Sequence, residues 1–128
     1  PSAEAMENYG VDTLSVEELS AFIRYHFVRG EKIYTDNKKT WKDYETLRID
    51  ESSTVYNTYY SNLNIRPGRD VIEILDKDGN PYVTIPESPG HTNIPVYYDT
   101  DKSSESTSAT DLIITAVAHE IDTVLVKQ

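Results

Sequence analysis

The sequence predicts an α+β domain: an N-terminal amphipathic helix, a mainly antiparallel sheet, and a C-terminal helix for which a strand pair is the alternative. Three observations predict it. One segment carries complete helix start and stop signals. A series of short β-rich runs separated by turn residues follows it. No helical pattern stands between those runs, so successive strands pair antiparallel instead of through crossovers.

The helix is expected over 16–29. Ser15 is a good N-cap, and Glu18 at N3 completes a capping box. Leu14 and Leu19 flank the cap as a hydrophobic staple. Leu19, Phe22, Ile23, His26 and Phe27 recur at helical spacing. Arg29 and Gly30 supply a cation in the last turn and a C′ glycine. Ahead of it, residues 1–13 are polar and lack a sustained period, and read as an arm. Residues 14–128 then form one domain.

Beyond Gly30 the texture is extended. Lys32–Thr35 reads as a short strand, residues 36–39 as a turn, and Trp41–Ile49 as a second strand. Ser53–Tyr60 is rich in Thr, Val and Tyr and reads as a third. Residues 66–69 (Arg-Pro-Gly-Arg) read as a turn. The sharpest β signal is Val71–Leu75 and Pro81–Ile85 joined by Asp76-Lys77-Asp78-Gly79-Asn80, a hairpin. Pro81 cannot donate to a ladder, so it belongs at a strand start or on an edge. Ile94–Tyr98 is a further strand. Residues 100–110 are crowded with Ser and Thr and read as a flexible loop. Over 111–126, Ile114, Val117, Ala118, Ile121, Val124 and Leu125 form a helical stripe. The β-branched content of that run favours a strand pair, 112–118 and 123–127, as the alternative.

With 128 residues, the chain is long enough to bury a core without staples. It has no Cys, which excludes disulfides, thiolate metal sites and a cysteine nucleophile. No apolar run approaches the roughly 20 residues of a spanning helix, so no membrane association is expected. The compartment stays open. The net charge is −10 and is unevenly placed. Residues 24–48 hold seven basic and four acidic residues, whereas residues 70–122 hold two and eleven. Direct nucleic-acid binding is not expected of such a balance. A molecule with oppositely charged sections attracts a protein partner or its own copies.

No catalytic constellation is complete. His119-Glu120 opens a zincin-like pattern, but Thr123 stands where the second histidine belongs, and only His26 and His91 remain as imidazoles. A polar edge on an amphipathic helix is the plainer reading. Asp76-x-Asp78 and Asp99-x-Asp101 are carboxylate pairs of the kind calcium takes. Counting from Asp76, Glu87 falls twelfth, but glycine is fourth instead of sixth and Pro81 takes its place. Turn formation is therefore the expected role of these acids. His26, on the apolar stripe, is expected to be a hydrogen-bonded core or boundary residue. Neither a nucleophile elbow nor a phosphate loop is present.

The most unusual feature is ten tyrosines. Tyr56, Tyr59, Tyr60, Tyr97 and Tyr98 form two groups in which neighbouring rings point to opposite faces of a strand. One ring of each pair serves the core, and the other covers a sheet or meets a partner. These five are the expected interaction residues; no catalytic, cofactor-binding or metal-binding residue is assigned. The expected function is a non-enzymatic structural or interaction subunit of a larger assembly, such as a virion accessory or filament component. An acidic inhibitor occupying the basic cleft of a nucleic-acid enzyme, or a metal-dependent hydrolase, is the alternative.

Overall fold

The computed structural model describes residues 1–99 and 112–127. The Ser/Thr-rich stretch 100–110, Asp101 included, lies outside the described residues. Two helices precede six strands: α1 (Ala3–Tyr9), α2 (Val16–Tyr25), β1 (Lys42–Ile49), β2 (Tyr60–Pro67), β3 (Val71–Leu75), β4 (Pro81–Pro86), β5 (Ile94–Asp99) and β6 (Leu112–Ala118). The first four strands form an antiparallel meander in the order β1-β2-β3-β4, and β5 pairs with β6 in a separate two-stranded ribbon. The whole is an α+β arrangement with a mainly antiparallel sheet, and no described helix is long and apolar enough to cross a membrane.

Residues 1–13 hold α1 and a turn of 3-10 helix at Val11–Thr13. Ser2 caps α1 through its side chain, and Gly10 ends it in the left-handed region at φ 83°. The Tyr9 ring stacks on Phe22 of α2, with centroids 5.2 Å apart.

α2 starts at the capping box read from the sequence: Ser15 Oγ accepts from Glu18 N–H, and Glu18 Oε1 accepts from Ser15 N–H, both at 3.1 Å. It ends four residues earlier than expected. The ladder of β1 captures Phe27, Val28 and Arg29. Leu47 N–H donates to the Phe27 carbonyl, Arg29 N–H donates to the Glu45 carbonyl, each at 2.9 Å, and Val28 bridges Thr46. Pairing with an otherwise open strand edge outweighs the last helical turn, and it covers that edge.

The meander buries one face. Tyr44 on β1, Leu63 and Ile65 on β2, Ile72 and Ile74 on β3, and Val83 and Ile85 on β4 alternate with outward residues and form the core. Tyr25 from α2, Ile33 from the following loop, and Ile121 and Leu125 from the C-terminal tail cover them. Pro81 starts β4 on the free edge of the sheet, as its missing N–H requires.

Three β expectations shift. Lys32–Thr35 runs beside the core without joining a sheet, although Ile33 and Thr35 are buried. Ser53–Tyr60 is a loop; the strand begins only at Tyr60 and continues through Pro67, displacing the turn to 68–70. Asp70 takes that turn at φ 64°.

The C-terminal helix is not formed. The chain pairs as β6 over Leu112–Ala118 and then leaves regular structure. Ile113, Ile114, Thr115 and Val117 are β-branched and lose side-chain freedom in a helix, while β5 offers a matching partner strand. The helical stripe divides. Ile121 and Leu125 reach the core from an irregular tail, whereas Ile113 and Ile114 stay exposed on the ribbon. The second half of the alternative strand pair, 123–127, is likewise not a strand.

Candidate interaction surfaces

Among the described residues, the ribbon is clamped at its base. Asn93 adopts φ 55°, a left-handed geometry that Asn tolerates better than most residues. Its side chain accepts from Thr35 N–H at 3.1 Å and donates to Thr35 Oγ1 at 2.7 Å. Its own N–H donates to His119 Nδ1 at 3.1 Å, and His119 Nε2–H donates to the Ile33 carbonyl at 2.6 Å. Both nitrogens of His119 are thus engaged, which fixes the tautomer. Glu120 N–H donates to the His91 carbonyl at 2.7 Å, and the two side chains meet at 2.7 Å.

Above this clamp the ribbon's Ile94, Val96, Tyr97, Ile113 and Ile114 stand exposed among the described residues. Alternation sends its side chains to both faces, and both faces are apolar. Ile94, Val96 and Ile113 share one face, with Ile113 at 52% exposure. Tyr97 and Ile114 share the other, with Tyr97 at 55%. A bulge between Val96 and Tyr97 leaves Thr115 as the extra residue on β6. Of the expected pair, Tyr97 is therefore on open surface; the side chain of Tyr98 lies outside the described part of the structure.

A second surface is the loop between β1 and β2. Asp50 N–H donates to the Tyr59 carbonyl at 2.8 Å, and Thr54 N–H to the Asn57 carbonyl at 2.8 Å. Ser53 Oγ both accepts from Tyr59 N–H and donates to its carbonyl, each at 2.9 Å. Thr54 Oγ1 accepts from Asn57 N–H. This bracing holds out Val55 and Tyr56, at 94% and 91% exposure. Beneath the loop, Lys127 bridges Asp50 and Glu51, and Arg48 reaches Glu51 and Ser61. Hydrogen bonds from Ser52, Lys127 and Ser61 hold the Asp50 carboxyl well below the usual range. Hydrogen bonds from Arg48 and Lys127 bring Glu51 to about 2.

Tyr59 and Tyr60 are not in a strand interior with rings opposed. Tyr59 closes the loop, and Tyr60 opens β2 with the Arg29 guanidinium stacked 4.2 Å above its ring. Both line a cleft of about 390 Å³ beside β2.

The remaining chemistry-bearing residues have local partners. His26 Nδ1–H donates to the Phe22 carbonyl at 2.8 Å, and Nε2 accepts from Leu125 N–H at 2.9 Å. Burial lowers its pKa, so the imidazole is neutral. It pins the tail to α2, a boundary role of the kind its position on the stripe implies. Asp76 Oδ1 accepts from Asp78 N–H and Asn80 N–H, at 2.9 and 3.0 Å, and organises the hairpin turn. Glu73 pairs with Arg66 at 3.0 Å, and Glu87 shares a hydrogen bond with Asp70 that raises its pKa. The described acids of section 70–122 are therefore dispersed in separate arrangements. Among the described residues no three His, Asp or Glu side chains are grouped to hold a metal ion.

The roles of Asn93 and His119 were hidden in the sequence, because their partners lie 58 and 86 positions away. The signal available was an Asn and a His at the two ends of adjoining β-rich runs. No protein-family model, curated protein or solved structure matches this chain.

Proposed function

We propose that this chain is a non-enzymatic structural or interaction subunit of a larger protein assembly, engaging a protein partner through the β5–β6 ribbon. The observation that carries this reading is a two-stranded ribbon with apolar side chains exposed on both faces and held, among the described residues, at its base. Two strands alone are marginal in water, and an apolar surface of this kind is the common mark of a contact site. Tyr97 is the natural anchor, since it combines a large ring with a polar tip. The braced Val55–Tyr56 tip offers a second, pre-ordered contact at little entropic cost.

The test is the native mass of the protein extracted from its source, for wild type and for a Tyr97→Glu/Ile114→Lys double variant. Wild type is expected in a complex well above the 14.6 kDa of one chain, and the variant at the mass of one chain. Wild type running at the mass of one chain, or a complex that the double variant leaves intact, overturns the reading.

A further inference from the structure

We propose that the cleft beside the start of β2 is a binding site for an uncharged saccharide. The cleft follows from the strand register. β2 begins at Tyr60, but β3 joins it only at the Asn64–Leu75 pair. Residues 60–63 therefore have no strand on that side. Tyr25 enters the gap from α2 and donates its hydroxyl to the Asn62 carbonyl at 3.2 Å. Tyr82 from β4, Tyr59 and Tyr60, and the turn at Asp76-Lys77 complete the walls. The volume of about 390 Å³ falls within the roughly 300–1,000 Å³ of small-molecule sites.

The lining chemistry selects the ligand. The half-exposed Tyr59 ring offers a flat apolar face, which matches the C–H face of a pyranose. Beside it stand polar groups of the lining that make no hydrogen bond or ion pair among the described residues: the Asn62 carboxamide, the Lys77 ammonium and the Tyr59 hydroxyl. The Tyr82 hydroxyl is buried behind the lining and has no hydrogen-bond partner among the described residues. Burial raises its pKa to about 12, so it stays a neutral donor and acceptor. One wall is pre-set, because Trp41 Nε1–H donates to Asn64 Oδ1 at 2.7 Å and Asn64 donates to Asp43 Oδ1 at 2.8 Å. A row of hydroxyls, each donor and acceptor at once, satisfies such a mixed set.

Other small ligands fit less well. Asp43, Asp50 and Asp76 repel a phosphate, and Lys127 is already committed to Asp50 and Glu51, leaving Lys77 as the lining cation without a partner among the described residues. A fully apolar ligand strips water from Asn62 and Lys77 without replacing its hydrogen bonds. The site is on the sheet and independent of the ribbon.

The experiment is amide chemical-shift mapping of the full chain with the methyl glycosides of glucose, galactose, mannose and N-acetylglucosamine. At least one is expected to bind at millimolar strength and move the Tyr59, Asn62 and Lys77 signals. Tyr59→Ala and Asn62→Ala, both changes at exposed side chains, should each weaken it about tenfold. Silence from all four glycosides, equal binding by both alanine variants, or a response confined to a sugar phosphate overturns the proposal.

Discussion

The four-stranded sheet and the two-stranded ribbon draw on the same residues, Ile, Val and Tyr in antiparallel strands, yet differ in what covers them. In the sheet, apolar residues alternate with polar ones. One face is sealed by Tyr25, Ile33, Ile121 and Leu125, and Tyr44 and Ile74 fall to 1% and 4% exposure. In the ribbon, apolar residues occupy both faces, and no described element covers both. The contrast shows that strand formation and burial are separate outcomes. Backbone pairing makes the ribbon; packing makes the sheet stable.

The largest expected effect breaks this contrast directly. Ile74→Ala should cost about 2–5 kcal/mol through lost burial and a residual cavity. Ile114→Ala, at a site already open to water, should cost under about 1 kcal/mol in the isolated chain. Denaturant unfolding of both variants checks this, and equal losses would mean the ribbon is packed after all.

Next comes the clamp. His119→Ala leaves the Asn93 N–H and the Ile33 carbonyl without their partner, a loss of about 1–3 kcal/mol. Hydrogen exchange should quicken across β5 and β6 while the amides of β2 and β3 keep their protection. Uniform quickening would show that ribbon and sheet open as one unit.

A smaller effect is pH-dependent. Burial sets the folded pKa of His26 below the free value of about 6.5. The unfolded chain therefore takes up the proton first. The stability from neutral His26 is complete above pH ~6.5 and is lost as pH falls from there toward the folded value. Urea midpoints at about pH 7.5 and about pH 5.5 should differ more for wild type than for His26→Ala. The same slope in both would remove His26 as the cause.

The smallest effect concerns the loop brace. Glu51, held near 2, contributes stability that is present above its ordinary pKa and lost as pH falls from about 4.5 toward about 2. Because the pair is exposed, Glu51→Gln should shift only the acid limb of the unfolding profile and leave neutral stability nearly unchanged.

Local signals were readable where a few neighbouring residues decide the outcome. Ser15 and Glu18 specify a helix start, and Asp76 and Gly79 specify a turn between two β-branched runs, because each hydrogen bond closes within four residues. Where a distant partner competes, local signals mislead. Phe27–Arg29 follow a helical stripe but pair with β1, and the 114–125 stripe is divided between ribbon and core. Of the five candidate tyrosines, sequence reasoning anticipated ring-rich surfaces but not that Tyr56 rides a braced loop or that Tyr59 and Tyr60 border a cleft.

The sequence alone therefore determined the class, the capped helix, the β3–β4 hairpin and the absence of thiol chemistry. These depend on composition and on contacts a few positions apart. Tertiary structure alone decided that the last run is a strand, that His26 and His119 serve as hydrogen-bonded pins, and which apolar residues stay uncovered. Those outcomes hinge on groups 13 to 99 positions apart, brought together only in the folded chain.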